Sequence, residues 1–127
     1  MARINMEKAL PQEIDVWYVL PALRRELAKI FIKDYEKSQK EVAQILGITE
    51  AAISQYINDK RANELVFTEE EVAKIKDTAK QLVNDKENVM GYMTKLLHRF
   101  RGTESVCKLH RKLDRCVPTN CDICMDH

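Results

Sequence analysis

The stretch SQKEVAQILGITEAAISQYINDKR, Ser38 to Arg61, decides how this chain folds. Ser38 is suited to cap a helix, and Glu41 three residues later completes a capping box. Val42, Ile45 and Leu46 follow at helical spacing and give that helix an apolar face. Gly47 supplies a turn, because glycine takes positive φ without steric cost. Thr49 caps a second helix whose inward stripe is Ala52, Ile53, Tyr56 and Ile57. Ala43 is small where two helices must cross closely. Asn58-Asp59-Lys60-Arg61 ends the unit with turn formers and two cations.

An ordinary packed hairpin of helices accounts for these apolar positions but not for the polar ones. The outward positions of the second helix are Glu50, Ala51, Ser54, Gln55 and Asn58, short or amide side chains that do not block approach to another surface. Gln and Asn pair bidentately with adenine, Ser bonds either class of base, and Ala meets a thymine methyl. Gln39, Thr49, Lys60 and Arg61 are placed to hold phosphates and set a docking angle. The Gln-x-Glu-Val-Ala opening at Gln39, the Leu-Gly-Ile-Thr turn at Leu46 and the Ala-Ile-Ser-Gln-Tyr run at Ala52 resemble the phage-repressor class of helix-turn-helix regulators, Cro-like and XRE-type. The resemblance implies that the second helix enters the major groove of a double-stranded DNA operator. It also implies a homodimer on two half-sites, about 34 Å apart.

At 127 residues the chain can bury a modest core. Scarce glycine, proline and aromatics, with abundant Ala, Leu, Ile, Lys and Glu, favour an all-α protein. Net charge is only +1, yet Lys95 to Arg115 carries seven cations (Lys95, Arg99, Arg101, Lys108, Arg111, Lys112, Arg115) against Glu104 and Asp114, a local +5. Such a run is either a solvated helix face or a phosphate contact. No run of about 18 apolar residues is present to span a membrane, and MARINMEKALPQE lacks the apolar core of a signal peptide, so a cytoplasmic location is expected.

The order of elements follows from punctuation and periodicity. Pro11 suits the first turn of a helix over Gln12 to Tyr18, and Pro21 is expected to break it and restart a helix over Ala22 to Tyr35. On that helix Leu23, Leu27, Ile30 and Phe31 line one side, with Arg24, Arg25, Lys29 and Lys33 opposite, and Trp17 and Tyr18 read as core anchors. Thr68-Glu69-Glu70-Glu71 is a second capping box, followed by Val72, Ile75, Ala79 and Leu82. Asn84 to Glu87 is expected to break or bend that helix. Val89, Met93, Leu96, Leu97 and Phe100 then form another stripe, interrupted by Gly91 and stopped near Gly102. These readings divide the chain into a helix-turn-helix bundle (1–66), a helical dimerisation region (67–102) and a short Cys-rich tail (103–127).

All four cysteines, Cys107, Cys116, Cys121 and Cys124, lie in that tail with spacing C-x8-C-x4-C-x2-C. His110 stands one helical turn beyond Cys107. A structural disulfide pair does not suit the cytosol, and the tail has too little apolar content to bury four thiols. Two metal readings stay open. An iron–sulfur cluster on four thiolates suits the uneven spacing. A zinc ion held by the four cysteines, or by Cys107, His110, Cys121 and Cys124 as C-x2-H…C-x2-C, is the alternative. The chain is also similar to small archaeal helix-turn-helix regulators in which a segment like Leu20-Pro21-Ala22-Leu23-Arg24 leads into the motif and a cysteine-rich tail follows. That resemblance implies a transcriptional regulator whose tail holds a metal or cluster. The function expected from the residues is a sequence-specific repressor gated by redox state, iron or oxygen. His110 departs from the paired pattern, standing where a second cysteine belongs. No Ser/His/Asp set, phosphate loop or paired acids point to an enzyme. A zinc-stapled DNA binder without sensing, and an antitoxin-like or bridging module that keeps the motif for packing, are the competing classes.

Overall fold

The computed structural model describes residues 10–58, 65–101 and 103–113. Among them the ordered elements are all helical: α1 (Pro11–Ile14), a π turn (Asp15–Val19), α2 (Leu20–Asp34), α3 (Gln39–Leu46), α4 (Glu50–Ile57), α5 (Glu69–Asn84), a 3-10 turn (Lys86–Asn88), α6 (Val89–Phe100) and α7 (Glu104–Leu113). The all-α expectation holds. None of these helices is long and apolar enough to cross a membrane.

Pro21 does not break the chain as expected. A proline removes one donor and clashes with the carbonyl four residues back, so an α ladder cannot run through it unchanged. The backbone instead widens just before it: Leu20 N–H donates to the Asp15 carbonyl five residues back, and α1 flows through the π turn into α2. This carries Tyr18 and Val19 into the core, with Trp17 packed against its edge.

One apolar core runs from Ile14 to Leu109. Leu23, Leu27 and Phe31 of α2 lie at its centre, and α2 touches α3, α4 and α5. The stripe of residues 67–102 is largely spent inside this core. Ile75, Ala79, Leu82 and Phe100 are fully buried, Leu96 nearly so, and the Phe67 and Phe100 rings stack at 5.2 Å. Asp85 ends α5 where a break was expected, by accepting from Asn88 Nδ2 (2.8 Å) and the Tyr92 hydroxyl (3.0 Å). Helix α6 continues through Gly91.

Two cations leave the outward faces on which the sequence reading put them. Arg25 is only 6 % exposed: its guanidinium donates to the Leu65 carbonyl (3.0 Å), bonds Glu26 Oε1 (3.0 Å) and lies over the Phe67 ring. These partners replace the water that a buried cation gives up. Arg101 bonds Asp15 at 2.6 Å, tying the C-terminus of α6 to the π turn, so it is not an open phosphate contact within the basic run.

Candidate nucleic-acid interface

The unit α3–turn–α4 is built by its caps. Ser38 Oγ accepts from Glu41 N–H (3.1 Å) and Glu41 Oε1 accepts from Ser38 N–H (3.3 Å), closing the capping box. The Ser38 backbone and hydroxyl bonds, helped by nearby Lys37, hold the Glu41 carboxyl below the usual carboxylate range. The helix keeps its anionic cap at neutral pH, and the cap weakens as acid protonates it. Gly47 sits at φ 69°, the left-handed conformation that ends α3, and Ile48 N–H reaches back to the Ala43 carbonyl (3.1 Å). A Cβ at Gly47 would meet nothing within 4 Å, so Gly47→Ala is expected to cost only the backbone strain, about 1 kcal/mol. Gly47→Asn should cost less, and denaturant unfolding of both variants checks the ranking.

Helix α4 is placed by its own cap, Thr49 Oγ1 accepting from Ala52 N–H (3.1 Å), and by Ala52, Ile53 and Tyr56 buried beneath it. Its outer side carries Glu50, Ala51, Gln55 and Asn58, all exposed, with Ser54 half-buried between them. These are the residues read from the sequence as base-facing, and they lie on one helix that is already fixed in place. Asn58 is partly occupied: its backbone N–H and its side-chain amide (2.9 Å) both bond the Ser54 carbonyl, capping α4. Thr49 is exposed and keeps a hydroxyl hydrogen to donate, and Gln39 is exposed in the first turn of α3. Lys40 and Gln44 are exposed on α3 too. The sequence reading passed over both, although their four-residue spacing, set against buried Val42, Ala43, Ile45 and Leu46, marks an outward stripe. Lys60 and Arg61 lie outside the described residues.

The C-terminal helix α7 is anchored to the same body. Val106 and Leu109 are buried in the core, and Ser105 Oγ donates to Glu71 Oε1 (2.6 Å), the carboxylate that also caps α5 by accepting from Thr68 N–H (2.8 Å). Cys107 and His110 are half-buried one turn apart on this helix. Cys116, Cys121 and Cys124 lie outside the described residues, and among the described residues no three candidate ligands come together.

No curated protein and no solved structure matches the chain. Residues 27–63 match the helix-turn-helix family, a span that begins in α2 and takes in all of α3 and α4. Within the chain, α3 and α4 therefore form a helix-turn-helix.

Proposed function

We propose that this chain is a sequence-specific transcriptional regulator, a repressor, that reads double-stranded DNA with α4 and is gated by a metal centre on its cysteines. The observation that carries the reading is the outer side of α4. Glu50, Ala51, Gln55 and Asn58 are exposed together on a helix whose other side is buried, and none of them is bulky or cationic. A helix held for packing alone has no need of such a side. Ala51 and Gln55 offer a methyl contact and a bidentate amide, and Glu50 an acceptor for a cytosine amine. Gln39 and Thr49, with Lys60 and Arg61, would take phosphates. Gln55→Ala is expected to lower discrimination at one base position by about 1–3 kcal/mol and leave non-specific affinity unchanged. Competition binding with single-base operator variants measures this; equal loss on all sequences would make Gln55 a mere filler.

Dimerisation on two half-sites belongs to this proposal. It is supported by the apolar surface that α6 still presents, with Met90 exposed and Val89, Met93 and Leu97 packed against the core but only half-buried.

The metal centre would use Cys107, Cys116, Cys121 and Cys124, as an iron–sulfur cluster. A zinc site, held by the four cysteines or with His110 in place of Cys116, is a second reading; the His110 set is favoured by His110 standing half-buried beside Cys107 on α7. Ligation would supply the folding energy that a polar segment cannot obtain from burial. Protein purified without oxygen should be brown and hold iron and labile sulfide; a colourless protein with one zinc per chain selects the second reading. Cys121→Ser should remove the metal and change operator affinity. Metal loss at constant affinity would make the site a structural staple.

A further inference from the structure

Between α5 and α6 lies a cleft of ≈ 450 Å³, lined by Thr78 and Gln81 on one wall and by Tyr92, Lys95, Leu96 and Arg99 on the other. Of the α6 residues there, Tyr92, Lys95, Leu96 and Arg99 fall at i, i+3, i+4 and i+7 and form one stripe, with Thr94 and His98 beside it. We propose that this cleft binds a small organic anion with an apolar body, a carboxylate on an aromatic or aliphatic frame.

Charge carries the argument. Lys95 and Arg99 are four residues apart on one face, a like-charge spacing that destabilises a helix unless an anion sits between the two. His98 stands at the same mouth. Paired helices commonly meet such cations with acids on the facing helix. Helix α5 is rich in acids, with Glu69, Glu70, Glu71 and Asp77, yet it turns the neutral Thr78 and Gln81 to the cleft. No carboxylate among the described residues pairs with Lys95 or Arg99. Asp85, at the Tyr92 end, is already engaged by Asn88 and by the Tyr92 hydroxyl.

The rest of the cleft suits an apolar frame. Leu96 is 1 % exposed and forms the floor, and the Tyr92 ring flanks it. The Thr78 hydroxyl is turned back to the Lys74 carbonyl, leaving the Gln81 amide as the polar donor of that wall. The volume falls within the range of sites that enclose small ligands, about 300–1,000 Å³. An ammonium, a guanidinium and an amide over an apolar floor are complementary to one anionic head on a hydrophobic body. This site is separate from α4, and its existence does not depend on DNA binding.

The test uses the full chain, with 1-naphthoate as the anionic probe and 1-naphthamide as its neutral counterpart, followed by backbone amide NMR shifts. Naphthoate is expected to shift Thr78, Gln81, Tyr92, Lys95, Leu96 and Arg99, and to bind about tenfold more tightly than naphthamide, the worth of one charged hydrogen bond. Lys95→Gln combined with Arg99→Gln, both at exposed positions, should fold normally and abolish that preference. The proposal is overturned if naphthoate causes no shifts in the cleft, or if the two probes bind equally and shift Met90 and Met93 instead. It is also overturned if the double variant leaves probe binding as it was while weakening DNA binding and lowering its salt dependence. The cations would then be contacts to the nucleic-acid backbone.

Discussion

Phe100→Ala is expected to destabilise the chain by about 3–5 kcal/mol. Phe100 is fully buried, and its ring stacks on Phe67, which in turn lies under the Arg25 guanidinium. Removing the ring leaves a cavity lined by groups that are anchored on α2, α6 and the segment entering α5, and these cannot all close in upon it. A domain of this size is stable by about 5–15 kcal/mol, so the loss is a large share of the total. The consequence reaches α4 although Phe100 is remote from it in sequence. Ile53 beneath α4 and Phe100 belong to one core, so both should be lost in one transition. The single tryptophan, Trp17, provides a fluorescence probe at the π turn, to be compared with far-UV circular dichroism of the helices. Coincident curves, displaced to lower denaturant in the variant, are the expected result. A variant whose helix-turn-helix keeps the parent's stability while the C-terminal helices melt would show two separate cores.

Asp15→Ala is expected to cost about 3 kcal/mol, the lower end of the range for breaking a buried ion pair, because Arg101 keeps a quarter of its side chain in water. The loss is more than a missing attraction. Arg101 Nε is already buried without a partner, and removing Asp15 would also take from Nη2 its carboxylate acceptor. Replacing both residues by apolar ones of similar size, Asp15→Leu with Arg101→Met, should recover most of that loss, and a double-mutant cycle measures the coupling. The same pair bears on DNA binding. Arg101 belongs to the basic run at Lys95 to Arg115, yet its charge is committed inside the fold, so Arg101→Met in the paired variant should leave the salt dependence of DNA binding unchanged. A reduced slope would put Arg101 on the phosphate backbone instead.

The helix-turn-helix was legible because its signals are local. The Ser38–Glu41 and Thr68–Glu71 boxes, the Thr49 cap and the left-handed Gly47 each involve residues within one turn of one another. Neighbouring backbone geometry decides them almost alone. The outward residues of α4 followed directly, since the helical period that buries Ile53 and Tyr56 exposes Ala51 and Gln55. The acidic break at Asn84 to Glu87 was legible for the same local reason, and Asp85 caps the turn there.

Packing alone revealed where the remaining charges go. A cation on a helix is solvated unless a partner elsewhere offsets its desolvation, and that partner is set by how helices cross, not by neighbours in sequence. Arg25 finds the Leu65 carbonyl and the Phe67 ring, Arg101 finds Asp15 across 86 residues, and Ser105 finds Glu71 across 34. The run through Pro21 is of the same kind: a proline signals a break, and a π turn that carries Tyr18 and Val19 into the core makes continuation the better solution. Helix identity, caps and the outward side of α4 were thus written in the residues of Ser38 to Asn58 themselves. The burial of Arg25, the Asp15–Arg101 tie and the open cationic cleft of α5 and α6 arise only where helices distant in sequence meet, because desolvation and pairing are properties of the assembled core.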